Sequence, residues 1–209
     1  MRSPIFNIPI NMRHTILYIY NIVKLNLLPL YKFYHHSAMD SKYDCFEAIL
    51  DELFTQCPTL RDLTILKSLK LLFFICAIKL DGEGEIPGLL SIFNKFAAMP
   101  YGPVESDIYN KIQADELKKY CITPKGCSLK NPHSKLQVSE QMSNMVCDAV
   151  GALLKINPSI LNYTAFQLVE ISHKWSCWQI CYKVALDNNK ASVIIPSTLI
   201  QNSTKYYSL

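Results

Sequence analysis

The chain has 209 residues, half of them apolar, which is enough for one domain with a full hydrophobic core but short for two. Its net charge of +4 comes from residues 1–38, which contain no acid and carry four basic residues: Arg2, Arg13, Lys24 and Lys32. Without these four of its 21 basic residues, the chain has 17 basic and 17 acidic residues. A neutral body lacks the concentrated positive surface that phosphate binding requires, so nucleic acid is disfavoured as the main partner and proteins are favoured.

Eight cysteines are dispersed singly along the chain, and no two are spaced as CxxC. Several lie inside apolar helical patterns, which is typical of free thiols buried in a protein of a reducing compartment. The cysteine pattern therefore predicts a cytoplasmic protein. A disulfide-bonded exported domain is the weaker alternative.

Residues 1–38 differ from the rest, being rich in isoleucine, asparagine and tyrosine and interrupted by three prolines. The apolar stretch at residues 15–31 is too short and too often broken by polar residues to predict a membrane helix. The segment also lacks the cleavage pattern of a signal peptide. We interpret it as an atypical N-terminal extension upstream of a true start at Met39, with the domain at residues 39–209.

The first half of the domain shows helical periodicity. A helix is predicted after Asp40 because apolar residues recur at i, i+3, i+4, i+7 and i+8: Phe46, Ile49, Leu50, Leu53 and Phe54. A second helix is predicted over residues 60–80, with a central apolar block at residues 69–78. After a glycine-rich loop at residues 81–88, a helix is predicted over residues 89–99, closed by Pro100.

The next elements depend on capping residues. Gly102 is predicted as an N-cap and Pro103 as the first residue of a helix that reaches about Tyr120. The polar, proline-containing stretch at residues 121–138 is predicted as a loop, with a short hairpin around residues 127–129.

The second half begins with Ser139, a predicted N-cap, before a strongly periodic helix through Leu154. Asn162 is predicted to cap one long helix over residues 163–186. A short strand at residues 193–195 and a short helical piece after Pro196 complete the chain. The fold class is therefore mainly α, one compact domain of about six to seven helices with at most a small β-hairpin or a short C-terminal strand.

Three segments then occur in a characteristic order. Residues 69–74 (LKLLFF) form a lysine-containing aromatic helix, residues 96–104 end in a Tyr-Gly-Pro turn, and residues 172–178 carry Ser-His-Lys-Trp and a second tryptophan. In order and spacing they resemble the Panacea domain found in SocA-like antitoxins, over roughly residues 46–200.

The resemblance implies a mainly helical domain that serves as the antitoxin of a bacterial toxin–antitoxin pair. In that role it would bind and neutralise a toxin encoded beside it by direct protein–protein contact, and a protease that receives the toxin is a second implied partner. The chain departs from the common family pattern at Ser68, where a glutamine often precedes the lysine, and in its long insertion at residues 121–138. The kind of toxin therefore stays open.

Aromatic and turn residues of these segments are the candidate contacts with the toxin, because aromatic anchors dominate many protein interfaces. They are Tyr101, Gly102, Pro103, Tyr109, His173, Trp175 and Trp178. Two interpretations of the Tyr-Gly-Pro turn stay open. It is either a contact surface that presents a tyrosine or a corner that joins two helices, and the cap chemistry favours the corner.

An enzymatic function is the less favoured class. His173, Cys177 and Cys181 recur every four residues and would share one helix face, which suits zinc, but a fourth ligand and a CxxC pair are missing. Adjacent Ser172 and His173 would point about 100° apart on a helix and cannot form an activated pair. The sequence thus predicts no catalytic residue, metal or cofactor. A DNA-binding autorepressor and a metal-dependent hydrolase stay as alternatives.

Overall fold

The computed structural model of the protein describes residues 41–78 and 88–203. The extension predicted at residues 1–38, the start at Met39 and the predicted loop before Gly88 lie outside the described residues. The described helices are α1 (41–56), α2 (Ile65–Ala77), α3 (Gly88–Ile92), α4 (Ser106–Gln113), α5 (Glu140–Ile156), α6 (Ala165–His173), α7 (Ser176–Asp187) and α8 (Ser197–Gln201). A 3₁₀ turn at Ile160–Asn162 precedes α6. Within these ranges, no helix is long and apolar enough to cross a membrane.

The described strands are β1 (Phe96–Met99), β2 (Gly102–Glu105), β3 (Tyr120–Thr123), β4 (Gly126–Leu129) and β5 (Val193–Ile194). Strands β2, β1 and β5 form one antiparallel sheet in that order, and β3 and β4 form a separate hairpin. The prediction of a mainly helical fold is confirmed. The predicted helix number and the limit to a hairpin or one short strand were too low, since there are eight helices and two sheets in the described part of the chain.

Helix α2 is the centre of the core, as its apolar block predicted. Every residue from Lys67 to Ala77 is buried, and the helix packs against α5, α6 and β2. Its start is capped by Thr64, whose side chain accepts a hydrogen bond from the amide of Lys67 at 3.3 Å. Phe73 of α2 contacts Trp175 edge to face with ring centroids 5.0 Å apart, which joins α2 to the start of α7.

The polar face of α1 fastens the inserted hairpin to the domain. The carboxylate of Glu47, which is fully buried, accepts hydrogen bonds from the three successive amides of residues 118–120, at 2.7, 2.6 and 3.1 Å. One turn later, Asp51 accepts from the Tyr120 hydroxyl at 2.5 Å. These bonds fix the start of β3. A hairpin is present as predicted, but it begins at Tyr120 and turns at residues 124–125, so residues 127–129 lie within its second strand.

The helix predicted over residues 89–99 is wrong in its second half. Helix α3 ends at Ile92, and Phe96–Met99 is strand β1, which pairs with β2 on one side and β5 on the other. Strand β1 forms four residue pairs with the adjacent β2 and two with β5, which lies almost a hundred residues downstream, so pairing on both edges overrides the local helical spacing. The predicted strand at residues 193–195 exists and is that partner.

The helix predicted to start at Pro103 is also wrong. Gly102–Glu105 is strand β2, and α4 begins only at Ser106 and ends at Gln113. Its N-cap is Glu105, whose buried carboxylate accepts from the amide of Ile108 at 2.9 Å and from the Lys42 ammonium at 2.5 Å. The turn therefore joins two strands, not two helices.

In the second half, the cap at Ser139 is confirmed, and so is the last short helix after Pro196. The single helix predicted over residues 163–186 is two helices, because the chain leaves the helical conformation at Trp175, whose φ and ψ are −88° and 126°. The cap of α6 is Thr164 and not Asn162. Thr164 forms a reciprocal capping box with Gln167.

Candidate functional site

Strands β1 and β2 form a hairpin that closes with a two-residue turn, Pro100–Tyr101. Pro100 fixes its own φ near −65°, so the turn cannot place a positive φ at its first position as the common two-residue hairpin turns do. The positive φ falls instead on Gly102, at 90°. An ideal Cβ on Gly102 would lie 2.2 Å from Ser172 Oγ and 3.2 Å from Lys70 Nζ, so α6 and α2 both lie directly against this backbone.

Lys70 of α2 contacts the hairpin at strand β2. Its side chain has no exposed surface, and Nζ donates a hydrogen bond to the carbonyl of Pro103 at 2.5 Å. Burial lowers the pKa of Lys70 to about 7, since the apolar surroundings disfavour the charged amine. At neutral pH the amine is therefore partly uncharged and still able to donate this hydrogen bond.

Trp178 contacts the hairpin at the end of strand β1, and His173 lies against Trp178. The Trp178 indole N–H donates to the carbonyl of Met99 at 2.9 Å. The His173 imidazole is stacked on Trp178 with ring centroids 4.0 Å apart. Burial lowers the pKa of His173, and the nearby Glu170 carboxylate and Pro100 backbone oppose this shift.

Lys70 and Trp178 donate hydrogen bonds to two carbonyl groups of the hairpin, and His173 stacks on Trp178; we call these three side chains the carbonyl clamp. They come from two regions that are about a hundred residues apart in sequence. The three segments recognised in the sequence, the lysine-containing helix, the Tyr-Gly-Pro turn and the late His-Trp helix, therefore meet at one place. The clamp fixes where the hairpin turn, and with it Tyr101, projects.

An apolar groove of about 480 Å³ opens beside the hairpin turn, and we call it the hairpin groove. Its lining side chains are all uncharged, and they come from α2, the β1–β2 hairpin, α4, the β3–β4 turn and α6: Thr64, Ile65, Leu66, Leu69, Met99, Pro100, Tyr101, Val104, Tyr109, Pro124, Ala165 and Phe166. Two of them, Tyr101 and Phe166, are 61% and 67% exposed and face each other edge to face, with ring centroids 6.5 Å apart. Two large aromatic side chains are therefore exposed to solvent beside an apolar groove.

Comparison with known protein families connects this arrangement to a group of proteins. Residues 69–179, just over half of the chain, match the family described as antitoxin SocA-like, Panacea domain. The chain belongs to this family. The match begins at the lysine-containing part of α2 and ends in α7, so it contains every residue of the carbonyl clamp. Comparison with curated proteins finds no match, and neither does comparison with solved structures.

In this SocA-like antitoxin, six of the seven predicted partner contacts separate into three groups. Tyr101 and Tyr109 are exposed and line the hairpin groove. Gly102 and Pro103 are buried in β2, so they shape the hairpin from within. His173 and Trp178 are clamp residues.

Trp175 is the remaining predicted contact, and the structure places it in the core. Its side chain is 1% exposed and contacts both Phe73 and Phe74 of α2. It can support α7 from the inside, but it offers no surface to a partner in this conformation.

Sequence reasoning did not select two residues that the structure places at the site. Phe166 lies in the segment predicted as one long helix, and it is largely exposed at the start of α6. Lys70 was noted as part of the family pattern without a role. A lysine inside ten consecutive mostly apolar residues was the available signal, because such a side chain must be buried with a partner or reach solvent.

The three residues weighed as zinc ligands do not come together as a ligand set. Cys177 and Cys181 are buried in α7, and burial raises the pKa of both thiols. His173, at the end of α6, is stacked on Trp178. In residues 41–78 and 88–203, no group of three histidine, cysteine or acidic side chains is placed to hold a metal ion.

Proposed function

We propose that this SocA-like antitoxin neutralises a toxin encoded beside it by stoichiometric binding in the cytoplasm, and that the hairpin groove receives an apolar segment of that toxin. The observation that carries the proposal is the pair of exposed rings, Tyr101 and Phe166, at the rim of an uncharged groove. Exposed aromatic side chains around a concave apolar surface are characteristic of protein-binding sites.

The exposed area is large enough to give tight binding. An aromatic side chain has about 200 Å² of surface to bury, and Tyr101 is 61% exposed, so covering it removes about 120 Å² from water. At about 25 cal/mol per Å², this corresponds to about 3 kcal/mol for Tyr101, and the same argument applies to Phe166. Each ring therefore has the energy of an interface hot spot, which is about 2 kcal/mol or more.

The groove is also suited to binding because its rim is held before the toxin arrives. Tyr101 follows a proline in a two-residue turn, and the carbonyl clamp fixes the turn on both sides. A preorganised rim loses little conformational entropy when it binds, so more of the burial energy appears as affinity.

The test is the affinity of the full-length protein for the product of the adjacent reading frame, measured by calorimetry. Tyr101→Ala and Phe166→Ala should each weaken the affinity about 30-fold to 150-fold, as expected for a loss of about 2–3 kcal/mol. The matched controls are Ile180→Ala and Val184→Ala on α7. These apolar side chains are also about half exposed, but they do not line the groove.

The controls should leave the affinity unchanged, and all four variants should keep the melting temperature of the natural protein. Loss of binding in the α7 variants, with normal binding in the groove variants, would move the toxin site to α7. If the neutralisation also requires a protease that degrades the toxin, growth rescue will fail in a protease-deficient host even though the calorimetric affinity is normal.

A further inference from the structure

Lys70 has an environment that differs from that of its neighbour Lys67, one turn earlier on α2. Both lysines are fully buried. Lys67 Nζ forms an ion pair with Asp62 at 2.7 Å and donates to the carbonyl of Leu161 at 2.8 Å. Lys70 Nζ donates to the Pro103 carbonyl, and burial alone accounts for its lowered pKa.

Such an amine is an expensive way to fill space in a core. Burial of a polar or charged group lowers stability unless strong partners compensate for the lost water. A methionine of similar length would fill the same volume without that cost, and the main contact that it could not make is the hydrogen bond to Pro103. The retained amine therefore points to the geometry of the hairpin rather than to the stability of the core.

The geometry points to Lys70 as a positioning residue, which holds β2 so that Tyr101 stands at the rim of the hairpin groove before a toxin binds. Its hydrogen bond acts on Pro103, two residues after Tyr101, and its amine lies against Gly102 between them. This inference rests on the proposed function, because it assigns to Lys70 a part in presenting the toxin-binding surface.

The experiment compares Lys70→Met with Lys67→Met in the full-length protein. Amide hydrogen exchange of β1 and β2 is measured without toxin, and the affinity for the product of the adjacent reading frame is measured by calorimetry. Lys67→Met is a matched control, because it removes a buried amine from the same helix without a bond to the hairpin.

Lys70→Met should increase exchange of the β1 and β2 amides about fivefold to tenfold and weaken the toxin affinity by a similar factor, as expected for the loss of one hydrogen bond. Lys67→Met should leave both quantities unchanged, whatever it does to the melting temperature. Unchanged exchange in Lys70→Met, or an equal increase in both variants, overturns the inference and makes Lys70 a general core residue.

Trp178→Phe provides a second measurement of hairpin exchange, which does not require a lysine variant to fold. It removes the bond to Met99 and keeps an aromatic ring between His173 and Tyr182, so it should produce the same increase in hairpin exchange. A failure of the proposed function is visible separately. In that case Tyr101→Ala leaves the toxin affinity unchanged while Lys70→Met still increases hairpin exchange.

Discussion

Replacing Gly102 by valine should destabilise the protein by about 2–5 kcal/mol, through two causes that the structure separates. The first is backbone strain, because φ at this position is 90° and an L side chain there costs about 1–2 kcal/mol. The second is a collision, since a Cβ would lie 2.2 Å from Ser172 Oγ. Ser172 is fully buried and donates to the Val169 carbonyl at 2.8 Å, so relieving the overlap should cost about 1–3 kcal/mol more.

Thermal unfolding checks the total, and a double-mutant cycle separates the two causes. For a domain of this size, the loss corresponds to a fall of about 5–15 °C in melting temperature. The cycle uses the smaller substitution Gly102→Ala, which adds only the Cβ. In that background, Ser172→Ala should restore about 1–2 kcal/mol of the lost free energy of unfolding, because it removes the colliding oxygen and leaves the backbone strain. Gly151→Ala is the control. Apart from the adjoining backbone of its own helix, nothing lies within 4 Å of the added methyl group, and the helical position should gain about 0.5–1 kcal/mol.

A normal melting temperature in Gly102→Val would refute this reasoning, because it would mean that the hairpin does not lie against α2 and α6. Normal stability combined with lost toxin binding would go further. It would make the Gly102 backbone itself part of the contact surface, which is the other interpretation that the sequence left open.

Three further predictions concern the rest of the molecule. Because burial lowers the pKa of Lys70 to about 7, the unfolded chain binds more protons than the folded chain above that pH. The free energy of unfolding should therefore rise from pH 7 to 8.5, by up to about 1.4 kcal/mol per pH unit relative to Lys70→Met. Equilibrium denaturation measures this rise, and an equal pH dependence in both proteins contradicts the prediction. Glu47→Gln should lower stability by about 1–3 kcal/mol, because it weakens the acceptor of three amides, and unchanged protease resistance of the β3–β4 hairpin would argue against that anchor. A chain starting at Met39 should keep the melting temperature of the full-length protein, and a fall of several degrees would mean that residues 1–38 pack on the domain.

The fold was predictable from sequence where a local pattern decides the structure. Apart from Lys70, the block at residues 69–78 is apolar on all sides, which favours a buried helix, and Ser139 is followed by a long amphipathic pattern that fits one element. Strand β1 is different, because four apolar residues fit a helix or a strand equally well. The strand conformation comes with pairing on both edges, to β2 across the hairpin turn and to β5, which no local window contains. The break at Trp175 was missed for a related reason, since the periodicity continues across it while burial against α2 turns the chain.

The candidate site was only partly predictable. Tyr101 and Tyr109 were selected as aromatic residues near the turn, and both line the hairpin groove. The clamp was not predictable, since Lys70 and Trp178 act on backbone carbonyls and a carbonyl has no sequence signature. Phe166 was not selected because exposure cannot be read from a residue type that is usually buried.

The most direct test of the account is a titration of growth rescue, with the antitoxin and the product of the adjacent reading frame induced to measured levels in one cell. Binding predicts that cells are protected up to a fixed molar ratio of toxin to antitoxin and that protection is lost once the toxin is in excess. Tyr101→Ala and Phe166→Ala together should shift this ratio strongly. His173→Ala should reduce protection only as far as it loosens the carbonyl clamp. The contrary result is rescue by strongly substoichiometric antitoxin in a protease-deficient host. If His173→Ala abolishes that rescue while the variant keeps a normal melting temperature and normal hairpin exchange, the result contradicts binding and indicates an enzyme.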